Sequence, residues 1–144
     1  MKSFLLGLVV LLAGCGKAVS QQAEYERLFQ ERMQNVTLFG HSTRTNKEGV
    51  FGPEKYKIES VSKISGDTWL FKTRLRYDGK DLPVPIPITL KWAGDTPVIT
   101  LTDMTIPGVG TWTARVMIYR DHYAGTWSGE NHGGQMFGKV IKGD

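Results

Sequence analysis

The chain has 144 residues, 40% of them hydrophobic and 22% charged, with one cysteine and a net charge of +4. That length suits one domain and is too short for two of ordinary size, and a lone cysteine excludes an internal disulfide, so an apolar core must hold the fold. Basic residues are interleaved with acids along the whole chain, which argues against a nucleic-acid surface and implies a mild attraction to anionic lipid headgroups.

The chain opens with Lys2, an apolar run from Phe4 to Leu12, and then Leu12-Ala13-Gly14-Cys15. One cationic side chain, a short apolar stretch and small residues before a cut are the three parts of a secretory signal peptide. The run is well below the ~20 residues needed to cross a bilayer. Leu12-Ala13-Gly14-Cys15 resembles the lipobox of bacterial lipoproteins. The resemblance implies that residues 1–14 are a cleaved lipoprotein signal peptide, that the Cys15 thiol carries a diacylglycerol, and that the new amine carries a further acyl chain such as palmitate. It implies a cell-envelope protein held to the membrane by its lipid. Gly16 stands where an aspartate would retain the protein at the inner membrane, so the implied location is the outer membrane, facing the periplasm. At about 0.8 kcal/mol per buried methylene, two or three acyl chains hold far more firmly than one.

Residues 15–35 read as a lipidated tether and an amphipathic helix. Gln21 to Met33 contains good helix formers without Gly or Pro, Ser20 can cap the start, and Tyr25, Leu28, Phe29 and Met33 recur at helical spacing. This helix is expected to pack on the domain or over one of its openings.

From Val36 to the end of the chain at residue 144 the period changes to two, and this stretch reads as a β-barrel domain. Tyr56, Ile58, Ser60, Ser62 and Ile64 form one face of a strand against Lys55, Lys57, Glu59, Val61 and Lys63. The next strand sets Trp69, Phe71, Leu75 and Tyr77 against Lys72, Arg74 and Arg76. Val84, Ile86, Ile88, Leu90 and Trp92 then alternate with Pro85, Pro87, Thr89 and Lys91; prolines cannot donate to a ladder, so the first half of that strand should be an edge or a bulge. Further strands read at 97–103, 111–119, 123–128 and 135–141, with a first one near 37–43. Short turns such as Ser65-Gly66-Asp67 and Ala93-Gly94-Asp95 join them. The expected fold is all-β: about eight antiparallel strands closed as an up-and-down barrel, preceded by a short N-terminal helix.

Gly110-Thr111-Trp112 and Gly125-Thr126-Trp127 repeat one turn-strand unit, and Asp67-Thr68-Trp69 nearly matches it. With the strand count, this resembles the calycin group of lipocalin-like and avidin-like barrels. The whole segment from Tyr56 to Val140, with its stretches at 92–97, 106–111 and 123–129, also resembles a small uncharacterised bacterial lipoprotein family, which brings no activity with it.

No catalytic constellation emerges. Ser128 follows Gly125-Thr126-Trp127, which lacks the first glycine of a nucleophile elbow, and no helix is expected after it. Asp121, His122, Glu130 and His132 flank one hairpin and are expected near one rim, but their spacing matches no zinc motif, so they read as solvated turn residues. His41 has no partner in the sequence. No metal, cofactor or nucleic acid is called for, and the chain reads as a non-enzymatic protein, with an enzyme as the third reading should an open pocket bring His122 or His132 together with two carboxylates. The aromatic residues are more informative: Trp69, Phe71, Trp92, Trp112, Tyr123 and Trp127 should all face inward. Eight strands leave a lumen that is either filled by side chains or able to hold one small ligand. The leading expectation is a small apolar or amphipathic ligand bound among these six rings, with Ala114, Gly125 and Gly138 leaving space. The alternative is a filled barrel that contacts an envelope protein partner through Pro85-Ile86-Pro87 and the tip at 130–134.

Overall fold

The computed structural model describes residues 13–77 and 79–143. Residues 1–12, which hold most of the signal-peptide reading, lie outside the described residues, as do the side chains of 13–20, the Cys15 thiol among them, and those of Tyr77 and Lys80. Helix α1 (Ala13–Arg32) is followed by β1 (Val36–Arg44), β2 (Lys47–Ser65), β3 (Thr68–Tyr77), β4 (Lys80–Ala93), β5 (Thr96–Ile106), β6 (Gly110–Tyr119), β7 (His122–Ser128) and β8 (Gly133–Lys142). Each strand pairs antiparallel with its sequence neighbours, and β8 closes on β1. The fold is therefore the eight-stranded, closed antiparallel barrel expected from the alternating pattern, with one helix before it. Gly66 and Gly94 take φ of 54° and 64° in the tight turns after β2 and β4, a conformation that glycine reaches without a Cβ penalty.

The helix closes one end of the barrel. Phe29 and Met33 are 5% and 0% exposed and belong to the main core, where Phe29 meets Trp69 and Trp92 edge-on at centroid distances of 5.6 and 5.8 Å. Two details of the helix differ from expectation. It is already helical at Ala13, the first described residue, so Ser20 lies inside it instead of capping it, and Leu28 is 41% exposed, leaving Phe29 and Met33 as the buried pair. Among the described residues no helix is long and apolar enough to cross a membrane.

Strand β2 departs from simple alternation. Ile58 pairs with Thr73 but Ser60 with Lys72, so two steps on β2 match one on β3, and Glu59 is the extra residue of a β-bulge. The bulge reverses the faces beyond it: Val61 is fully buried and Ile64 is exposed, the opposite of what uninterrupted alternation predicts.

Strand β4 bears out the proline reading. It pairs with β3 from Lys80 to Thr89, but with β5 only from Thr89 to Ala93. In an antiparallel strand alternate residues direct their N–H groups to opposite neighbours. Pro83, Pro85 and Pro87 all occupy the positions that would donate toward β5, and none has an N–H to give. The wall consequently parts between the first half of β4 and the second half of β5.

Across the barrel the wall is unusually tight. A Cβ on Gly40, Gly125, Gly134 or Gly138 would lie within 2.3 Å of a carbonyl oxygen of the neighbouring strand. These glycines occupy inward positions of β1, β7 and β8 and permit the sharp coiling that closes a small barrel.

Candidate functional site

Burial falls along the inward faces of β4, β5 and β6, whereas on β1 every inward residue from Val36 to Ser42 is buried. On β6, Ile118 and Val116 are buried near α1, whereas Ala114 and Trp112 at the far end are partly exposed. On β5 the sequence runs from buried Pro97 and Ile99 to partly exposed Leu101, Met104 and Ile106. On β4, Leu90, Ile88 and Ile86 are buried, Val84 is partly exposed and Leu82 is 45% exposed. The end beneath α1 is thus a solid core, and on β4, β5 and β6 the inward side chains of the opposite end are only partly covered. The β4–β5 gap opens onto this end and is bordered by Leu82, Val84, Leu101 and Met104.

The six aromatic residues do not form one cluster. Trp69, Phe71 and Trp92 surround Phe29 in the solid end, with Trp69 and Phe71 each 1% exposed. Trp112 and Trp127 meet at the open end, their centroids 5.8 Å apart, and His132 packs edge-on to Trp127 at 5.2 Å. Tyr123 lies between the groups: its ring covers Gly138 and its hydroxyl reaches Gly40, in the space that a side chain on either glycine would fill. An open recess of about 610 Å³ follows the rim from Arg44 to the loop at 129–134, with Trp127 and His132 in its lining. Arg44 is held at this rim over the Phe51 ring, 4.7 Å from its centroid.

Above the solid core sits a polar centre that the sequence reading did not single out. Glu54 faces inward from β2. It accepts a hydrogen bond from Ser42 Oγ on one carboxylate oxygen and from Tyr56 Oη on the other, both at 2.8 Å. Ser42 is 2% exposed, and Tyr56 packs directly on the core cluster. Tyr123 is also 2% exposed, yet its hydroxyl has no partner. The two phenols feel the same surroundings. Burial, the hydrogen bond to Glu54, and the charges of Glu54 and Tyr123 hold the Tyr56 phenol well above its ordinary range. Burial and the Glu54 charge push Tyr123 up to about 12. Both are neutral donors at neutral pH.

Sequence could have found this centre by one further step. Counting back by twos from Ile58 and Tyr56 places Glu54 on the same inward face, a carboxylate where the pattern demands an apolar residue. The register break between Gly40 and Ser42 hides its approach to Ser42, because Gly40 pairs with Glu54 but Ser42 with Phe51.

The four residues expected near one rim are separated by the length of β7. Asp121 and His122 stand at the α1 end, 2.9 Å apart, while Glu130 and His132 stand at the open end. At about 3.3 Å per residue, seven residues set the pairs roughly 20 Å apart. Arg74 and Arg115 point outward, as alternation requires: Arg74 pairs with Glu59 and Asp81, and Arg115 donates to the Leu101 and Ala114 carbonyls. No group of three or more metal-ligating side chains occurs among the described residues. Comparison with protein-family models, curated proteins and solved structures returns no match.

Proposed function

We propose that this protein is a lipid-anchored lipoprotein of the bacterial cell envelope, of calycin-like form, and that its barrel binds a small amphipathic ligand without catalysing a reaction. The observation that carries the ligand reading is the partial exposure of inward apolar residues at one end of the barrel, on the β4, β5 and β6 side. Inward side chains are buried at the α1 end, while Leu82, Val84, Leu101, Met104, Ala114 and Trp112 toward the other end are apolar and partly or largely exposed, and Glu54 brings a carboxylate to the inner face of β2. Apolar walls with a few placed polar groups are the usual composition of a small-molecule site. Anchoring rests on Cys15 and the residues before it.

Binding is tested by titrating the full chain, held in zwitterionic lipid nanodiscs, with octanol and following tryptophan fluorescence. A saturable change beyond that of empty nanodiscs is expected, because Trp112 and Trp127 stand at the mouth. A strictly linear response would refute the ligand reading. Anchoring is tested by Cys15→Ser, which should move the protein out of the membrane fraction; unchanged fractionation and lipid labelling would refute it.

A second reading, an envelope protein that docks a protein partner, is favoured by the outer wall. Met117, Ala124, Phe137 and His41 stand side by side across β6, β7, β8 and β1, with Met117 50% and Phe137 44% exposed.

A further inference from the structure

The polar centre narrows the ligand to a chemical class. Glu54 brings a carboxylate to the inner wall, and its two partners, Ser42 and Tyr56, are neutral hydroxyls. Among the described residues no lysine, arginine or histidine pairs with it. Each carboxylate oxygen has accepted one hydrogen bond and retains capacity for a second. The Tyr123 hydroxyl reaches Gly40, the residue that pairs with Glu54 across β1 and β2, and it is buried without a partner. A carboxylate against an apolar wall is costly when no cation balances it, and an orphaned buried hydroxyl adds to that cost.

We propose that the lumen selects amphipathic organic amines, with the ammonium group between Glu54 and Tyr123 and the apolar part along the Val84, Leu101 and Ala114 wall toward the β4–β5 gap. This rests on the reading of the barrel as a ligand-binding cup and adds the charge of its ligand. The donor and acceptor inventory matches. An alkylammonium has three N–H donors and no acceptor, and the centre offers two carboxylate oxygens and one phenol oxygen. A fatty carboxylate would bring a second negative charge beside Glu54, and a fatty alcohol would leave the charge unbalanced. The inward residues facing the tail, Leu75, Val84, Leu101, Met104 and Ala114, carry no charge that would compete for the head.

The test compares octylamine, octanol and octanoate, which share one tail and differ in the head, on the full chain in zwitterionic nanodiscs with tryptophan fluorescence as the readout. Octylamine is expected to bind about tenfold or more tighter than octanol, with octanoate weakest, since a charge-assisted contact is roughly twice as strong as a neutral one. Glu54→Gln should remove the octylamine advantage and leave octanol within about twofold, and Tyr123→Phe should lower octylamine affinity more than octanol affinity. Equal affinities for amine and alcohol, a preference for octanoate, or an octylamine affinity unaffected by Glu54→Gln would overturn the amine assignment while leaving the cup reading intact. No saturable response to any of the three would instead remove the cup reading itself. Should Glu54→Gln fail to fold, the ranking of the three heads on the unaltered protein decides.

Discussion

Replacing Gly125 sets two physical effects of opposite sign against each other. Gly125 pairs with Val116, and a Cβ added to it would lie 2.0 Å from the Arg115 carbonyl oxygen and 2.7 Å from the Val116 Cα. Both are backbone atoms, so no side-chain rotation relieves the contact. Ordinary strand preference favours valine over glycine by up to about 1 kcal/mol, and restricting the unfolded chain adds roughly 0.4–1 kcal/mol. Against this, β6 must move by about 1.4 Å to bring the Arg115 oxygen to an ordinary contact, displacing Val116, which is 4% exposed, from the core. Such overpacking costs about 1–3 kcal/mol, and each ladder hydrogen bond lost near Arg115 adds roughly 1 kcal/mol. The unfavourable side wins: Gly125→Ala should destabilise by about 2 kcal/mol, and Gly125→Val by more, because its branches extend the same clash. With a urea slope of roughly 1–3 kcal/mol/M, the alanine variant should unfold about 1 M earlier. An unchanged or raised midpoint for Gly125→Ala would show that β6 and β7 are not in backbone contact there, and the account of how this wall closes would be wrong.

Phe29→Ala should cost about 3–5 kcal/mol, the range for a large buried ring, whereas Leu28→Ala, at a residue 41% exposed, should cost less than about 0.5 kcal/mol. Comparable losses in chemical denaturation would mean that α1 does not close the barrel by inserting Phe29. Alkaline stability is set in part by the phenols of Tyr56, partly buried, and Tyr123, buried. Their folded-state pKa values are raised, so the fold favours the protonated form, and the stability they contribute is complete below pH 10.0 and lost as pH rises from there, through about 12 for Tyr123. The denaturation midpoint should therefore fall above pH 10.0, and Tyr56→Phe with Tyr123→Phe should flatten that fall; an identical pH profile in the double variant would refute the assignment.

Much of the barrel was legible because its inward faces are written at period two. The runs through Trp69 and Phe71, from Val84 to Trp92, and from Trp112 to Ile118 all face the interior as alternation requires. What escaped was whatever depends on register. The bulge at Glu59 turns Val61 inward and Ile64 outward, and no local pattern marks it, since the extra residue is defined only by its pairing with β3. The separation of Asp121 and His122 from Glu130 and His132 follows from hairpin order: residues flanking a strand stand at opposite ends of it, however close they lie in the sequence. Alternation tells which face a ring occupies, but face alone does not tell depth along the barrel axis. Depth is what divides Trp69, Phe71 and Trp92 from Trp112 and Trp127.

Two opposite uses of the backbone shape the lumen. On the β7, β8 and β1 side, glycines remove the Cβ atoms and the strands coil until backbone meets backbone, with Tyr123 occupying the space that Gly40 and Gly138 vacate. On the β4 side, three prolines remove the N–H groups that would bind β5, and the wall parts. The solid half of the barrel needs only its apolar residues and the Phe29 plug. Prolines at 83, 85 and 87 add nothing to that core, and each forgoes a ladder hydrogen bond of roughly 1 kcal/mol. They also deny that edge the donors through which another strand would attach. A barrel serving only as a filled scaffold would gain stability by closing this seam with donors. A barrel that admits a ligand benefits from keeping the seam open, and the seam lies beside the partly exposed Val84, Leu101 and Met104, on the same open half as the Glu54 carboxylate.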